Sequence, residues 1–198
     1  MRRILAALAL AALSACATAR GPEAAGRFDR FEGDAVAVAA FDRVFVAPVA
    51  VAPEVEARLD LNRLSSIRDD ERPLGQRDID RNTAALAEAV RREVGAAAPL
   101  ADAPGPGVLT IALTLTGVDA NRPTMAEQTA NPALSFQSIA LGGASVTGEL
   151  REGDAVLARF ADESQLARIN DPAIGAGMWV EADRYYRQLG NKLAGLLR

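Results

Sequence analysis

Residues 108–118 read Val-Leu-Thr-Ile-Ala-Leu-Thr-Leu-Thr-Gly-Val. In an extended chain Leu109, Ile111, Leu113 and Leu115 fall on one side, and Thr110, Ala112, Thr114 and Thr116 on the other. Alternation with period two marks a strand that buries one face. The turn-forming run Pro104-Gly105-Pro106-Gly107 stands just before it. One strand with so apolar a face needs sheet neighbours on its edges and a second layer over that face.

The neighbours follow in the chain. Ala144–Arg151 and Ala155–Ala161 read as a hairpin around Glu152-Gly153-Asp154. A three-residue loop sets Leu150 against Val156, Gly148 against Ala158 and Val146 against Phe160, which keeps the apolar residues on one face. A two-residue Gly-Asp turn would place Gly148 opposite Arg159 and scatter them. Upstream, Arg43–Val51 (RVFVAPVAV) reads as the first strand. Pro48 lacks an N–H, so it points to an edge position, a bulge or the strand's end.

Two amphipathic helices supply the second layer. Ile79, Thr83, Leu86, Val90 and Val94 recur at helical spacing over Asp78–Ala97, with Asp78 and Asp80 near the start and Gly95 and Pro99 at the end. Trp179, Ala182, Tyr186, Leu189, Leu193 and Leu196 form a second stripe over Ala176–Leu197. Residues 52–77 read as irregular, with one helical turn near Glu54–Leu64. The order β-α-β-β-β-α predicts an α+β fold: a two-layer sandwich of a small, mostly antiparallel sheet and two helices.

The amino-terminal end carries a different signal. Met1-Arg2-Arg3 is a positive n-region, and Ile4–Leu13 contains only Ile, Leu and Ala. Those ten residues reach roughly 15 Å as a helix, about half the hydrocarbon thickness of a bilayer, so they are too short for an ordinary span. Leu13-Ser14-Ala15-Cys16 follows and resembles the lipobox of bacterial lipoproteins. That resemblance implies cleavage before Cys16 and lipidation of Cys16, the chain's one cysteine. Ala17, where enteric retention signals carry Asp, favours the outer membrane facing the periplasm over the inner. The predicted organisation is a signal peptide over residues 1–15, a lipidated cysteine and flexible tether over 16–34, and a single domain over 35–198. Phe28 and Phe31 are the tether residues suited to docking onto the domain.

Composition limits the chemistry. Loss of residues 1–15 removes Arg2 and Arg3, leaving 20 basic against 26 acidic residues and a net charge near −6. No strong basic patch stands out, which argues against nucleic acid as a partner. The chain has no histidine. With Cys16 lipidated, neither His-based catalysis, a Ser-His-Asp triad, a Cys-His dyad nor a usual zinc site can be assembled. Gly143-Ala144-Ser145-Val146-Thr147 starts like a nucleophile elbow but lacks the closing glycine and leads into a strand. No Walker or Rossmann glycine pattern occurs. Asp69-Asp70-Glu71 sits between Arg68 and Arg72, and Asp78-x-Asp80 lacks the glycine and distal glutamate of a calcium loop. Both read as solvated charge. No cofactor or metal is expected.

The connection 119–141 is long for a compact domain, and such segments often carry function. It includes Phe136 and Ile139. Either Leu134–Leu141 covers or extends the sheet, or the segment binds a partner. Together with Trp179 and Tyr186 on the last helix, Phe136 and Ile139 form the candidate interaction surface, with core packing the more ordinary role for the aromatic residues.

GPGVLTIALTLTGVDA (105–120) and LGGASVTGELREGDAVLARFADE (141–163) resemble the DUF3313 family of bacterial lipoproteins, with Gly142–Glu149 the most specific passage. FDRVFVAPVAV (41–51) fits the family's first strand, and Trp179 with the final helix its carboxyl end. Gly26-Arg27-Phe28 only loosely echoes the family's Gly-Phe-Leu-like opening. The resemblance implies a lipoprotein with this fold and transfers no catalytic residue. The functional expectation is a non-enzymatic adaptor or assembly component, held to the membrane through Cys16 and working with an envelope protein partner. The alternative is a binding module for a periplasmic small molecule or glycan. An enzyme using carboxylates would need a partly buried Asp/Glu pair in a cleft.

Overall fold

The structure, a computed structural model, describes residues 22–64, 74–120, 129, 142–164 and 177–198. Its elements are α1 (Pro22–Ala25), β1 (Arg30–Gly33), α2 (Ala35–Ala39), β2 (Val44–Val46), β3 (Ala50–Val51), α3 (Pro53–Leu64), α4 (Gln76–Gly95), β4 (Leu109–Asp119), β5 (Gly143–Glu152), β6 (Ala155–Glu163) and α5 (Val180–Leu196). The strands form one sheet in the order β1-β6-β5-β4-β2, with β3 continuing the β2 edge of β4. The β1–β6, β6–β5 and β5–β4 pairings are antiparallel, and β2 and β3 run parallel to β4. The fold is α+β, with the mostly antiparallel sheet that the alternating strands predict.

The core forms where the apolar faces meet. Leu109, Ile111, Leu113 and Leu115 of β4, Val146 and Leu150 of β5 and Ala158 and Phe160 of β6 join Ile79, Leu86, Val90 and Val94 of α4 and Tyr186, Leu189 and Leu193 of α5 in one buried cluster. The two helices run in the same direction. Arg81 and Asn82 near the start of α4 bond Asp183 and Tyr186 near the start of α5. Further along, a β-carbon on Gly190 would lie 2.9 Å from Glu93 Cγ and 3.1 Å from the Ala89 carbonyl oxygen. At the start of α4, the Asp78 carboxylate accepts the Gly75 backbone N–H at 2.9 Å. This satisfies a donor that lacks an intrahelical partner.

The Arg43–Val51 strand is split. β2 pairs with Leu109–Ile111 and β3 with Thr114–Leu115, and Pro48 lies in the gap between them. Its missing N–H is harmless there because this is the sheet's edge.

Three expectations need correction. First, the tether does not extend to residue 34. Arg30–Gly33 is an edge strand on β6, and Phe28 packs its ring 4.9 Å from that of Phe160 and 5.8 Å from that of Phe31. The small and charged composition of this stretch hid a strand whose hydrogen bonds come entirely from a neighbour 128 or so positions away in β6. Second, the hairpin uses a two-residue turn. Glu152 pairs with Ala155 around Gly153, whose φ of 57° suits glycine. A bulge then restores the apolar face: Arg151 pairs with Val156, but Leu150 pairs with Ala158, Gly148 with Phe160 and Val146 with Asp162. Val146 therefore does not oppose Phe160. The face assignment survives because the extra residue, Leu157, shifts the register by one and returns the same parity. Third, residues 53–64 form a full helix rather than one turn. Its low amphipathicity left little periodic signal in the sequence.

Candidate functional site

Each described helix, α3 included through Val55, contributes to the one buried core, and the opposite face of β1, β6, β5 and β4 is left uncovered among the described residues. Because β-strand side chains alternate, the residues on this face are dictated by the same patterning that builds the core. They are Thr110, Ala112, Thr114 and Thr116 of β4, Thr147, Glu149 and Arg151 of β5, Arg159 and Ala161 of β6, and Arg30 and Glu32 of β1. Small side chains in the middle and long charged ones toward the rim make a half-open trough of about 580 Å³.

Glu149 anchors the charges. Its carboxylate accepts hydrogen bonds from Arg151 and, at 2.9 Å, from Arg159 Nε across the strand pair. The bonds from Arg151 and then Arg159 hold its carboxyl below its ordinary value of 4.5. Arg30 Nε donates to Glu32 at 2.7 Å on the neighbouring strand. Such a face offers hydroxyls, guanidinium groups and carboxylates to a partner.

A second polar group lies in the core. Asp162, at 3% exposure, receives Lys192 Nζ on both carboxylate oxygens at 2.6 and 2.8 Å. Asp29 N donates to Asp162 Oδ1, Glu163 N donates to the Asp29 carboxylate, and Tyr185 Oη donates to the Asp162 carbonyl at 2.7 Å. Burial pushes the Asp162 carboxyl above its ordinary value, against the opposing pull of Lys192. Burial also drives the Tyr185 and Tyr186 phenols far above theirs. Asp29 and Asp162 are the neighbouring carboxylates a hydrolytic reading would look to. Lys192 engages both oxygens of Asp162, and backbone N–H groups engage both carboxylates. The cluster acts as a clamp joining β1, β6 and α5.

Of the candidate interaction surface, Trp179 and Tyr186 are buried. Tyr186 is fully buried and its Oη donates to Asn82 Oδ1 at 3.1 Å, between α4 and α5. Trp179 is 9% exposed and belongs to the same core. Both fill the helix stripe, the ordinary role of large aromatic residues at that spacing. Cys16, Phe136 and Ile139 lie outside the described residues, as do Asp69, Asp70 and Glu71. The open sheet face escaped notice because its residues, chiefly Thr, Arg and Glu, are what any solvated strand face carries. The available signal is the strand alternation, which places Thr147, Glu149 and Arg159 together on the face away from the apolar residues, although their direct Glu149–Arg159 pairing depends on the bulge.

Among the described residues no helix is long and apolar enough to cross a membrane. No curated protein matches the chain. Two crystal structures are similar. Protein XCC0632 from Xanthomonas campestris, a DUF330 protein, has 15% identity and a TM-score of 0.41 over 77% of this chain and 81% of its own. The PelC dodecamer from Paraburkholderia phytofirmans has 13% identity and a TM-score of 0.42 over 85% of this chain and 94% of its own. The family model described as "Protein of unknown function (DUF3313)" matches residues 13–153, well over half of the sequence, and the chain belongs to that family.

Proposed function

We propose that this protein is an envelope lipoprotein, anchored through lipid on Cys16 in the outer membrane and facing the periplasm, that acts as a non-enzymatic adaptor or assembly component. The observation that carries the reading is the face around Thr114, Thr147, Glu149 and Arg159, uncovered among the described residues and opposite the packed helical layer. A polar, cross-strand-paired surface suits reversible docking of a protein partner better than chemistry. The lipobox-like Leu13–Cys16 supplies the anchor. Two or more acyl chains are required for stable attachment, at about 0.8 kcal/mol per buried methylene.

Photocrosslinkers placed at Thr147 and Arg159 on the open face, and at Arg187 on the helical side, test this in native envelopes. The expected result is one specific protein captured from the two sheet positions, absent from Arg187 and absent in Cys16→Ser. Capture from Arg187 alone would move the working face to the helices. Capture that persists in Cys16→Ser would remove the anchor from the mechanism.

A second reading, a binding module for a small polar ligand or glycan, draws support from the trough itself. Its hydroxyl and guanidinium lining matches the hydrogen-bonding needs of such a ligand. Saturable protection of Arg159 from guanidine-directed modification by a periplasmic extract freed of protein would favour it over the adaptor.

A further inference from the structure

We infer that one end of the domain rests on the bilayer, with Val36 at the lipid surface; the inference depends on the lipid anchor proposed above. The argument begins with how little chain separates Cys16 from folded structure. Ala24 is fully buried, Phe28 is in the core, and α1 starts at Pro22. Six residue steps lead from Cys16 to Pro22. Covalent geometry limits them to about 20 Å in any conformation. The α4 helix alone, at 20 residues, is about 30 Å long. The domain therefore cannot stand off from the membrane by its own length, and one of its surfaces must face the lipid.

Strand register identifies that surface. α1 touches α2 and α5. α2 follows Gly33, which pairs with Ala158, near the turn of the β5–β6 hairpin. β4 begins at this same end, because Thr110 pairs with Arg151, and so does β2, because Val44 pairs with Leu109. Leu100, bridged to Val44, lies there too, five residues beyond the end of α4. Val36 and Leu100 are the large apolar residues most exposed among the described residues, at 65% and 44%. Both are at the hairpin end, on opposite edges of the sheet, roughly 20 Å apart by strand spacing. Two apolar corners at this end, one of them on α2, which α1 touches, fit a bilayer surface. Asp34, Asp42, Asp102, Glu152 and Asp154 are exposed at the same end and outweigh the exposed Arg43 there, so the lipid it fits is zwitterionic rather than strongly anionic.

The test uses the full mature lipoprotein in vesicles of phosphatidylethanolamine with a minor share of phosphatidylglycerol. With Cys16 acylated, the single thiols of Val36→Cys, Leu100→Cys and Arg77→Cys take an environment-sensitive fluorophore selectively. Arg77, exposed near the start of α4, marks the far end. Headgroup spin-labelled lipid is expected to quench positions 36 and 100 several-fold more than 77, and a larger phosphatidylglycerol share to reduce that difference. Equal quenching at all three positions, or stronger quenching at 77, in protein that floats with the vesicles would overturn the orientation while leaving the anchor intact. A lipid-free mass at Cys16, or protein that does not float, would instead overturn the anchor and the orientation with it.

Discussion

Asp162 and Lys192 decide how three separate parts of the chain meet. A carboxylate with no exposed side-chain surface is tolerated because Lys192 and the Asp29 N–H together satisfy it. Asp162→Ala leaves the lysine beside the Phe28 ring without its counter-charge, and is expected to cost about 3 kcal/mol. Adding Lys192→Met should recover part of that loss, so chemical denaturation of the four proteins in the cycle should give a clear coupling energy. Additive losses would mean that the pair does not hold the elements together.

Glu149 behaves oppositely toward acid. Its folded-state pKa is lowered, so the stability it contributes is present above its ordinary value of 4.5 and is lost as pH falls through the folded value. Thermal melts from pH 7 down to pH 3 should therefore show a flatter acid limb for Glu149→Gln than for the parent protein. Asp162, with its pKa raised, favours folding more below its ordinary value and less as pH rises through the folded value, so it opposes this limb. An unchanged slope in Glu149→Gln would mean that solvent screens the arginine contacts completely.

Among the helices, α4 and α5 form the most extensive junction, and glycine makes its close approach possible. Gly190 brings the two backbones close, as the short approach to the Ala89 carbonyl shows. Gly190→Leu should separate the helices and lower stability by about 1–3 kcal/mol, whereas Gly105→Ala, with open space around it, should leave the melting temperature unchanged. A Gly190→Leu protein that melts like the parent would show that the helices slide without penalty. The elements most legible in the sequence were those whose partners enforce a strong period: β4, β5, β6, α4 and α5. Each buries one face against the core, and burial writes the pattern. α1, β1, α2 and α3 left little trace because they are short or weakly amphipathic, and tertiary contacts rather than local preference fix them. The same physics hid the candidate site. A stripe of Trp179 and Tyr186 is visible because it is apolar, and for that reason it is core. A working face of threonine, arginine and glutamate looks like any wet strand until the sheet order leaves it open.

For the whole molecule, the amino-terminal segment is part of the fold. A variant beginning at residue 35 would lose β1, uncover the edge of β6 and remove Phe28 from Phe160 and Lys192. It is expected to aggregate, while a variant beginning at residue 22 stays monodisperse; light scattering at matched concentration distinguishes them. Equal behaviour would return residues 22–34 to the role of tether.

The broken edge at Pro48 has a consequence for crowding. Under the anchoring proposed here, neighbouring copies diffuse in two dimensions and collide far more often than free molecules would. β2 has three residues and β3 two, separated by a proline that cannot donate, and the other edge, β1, has only four. Neither border offers the long, regular template from which strand-by-strand fibrils grow. The interruption acts as a safeguard against runaway polymerisation on a densely populated surface, and it leaves the broad polar face as the place where contacts can be selective.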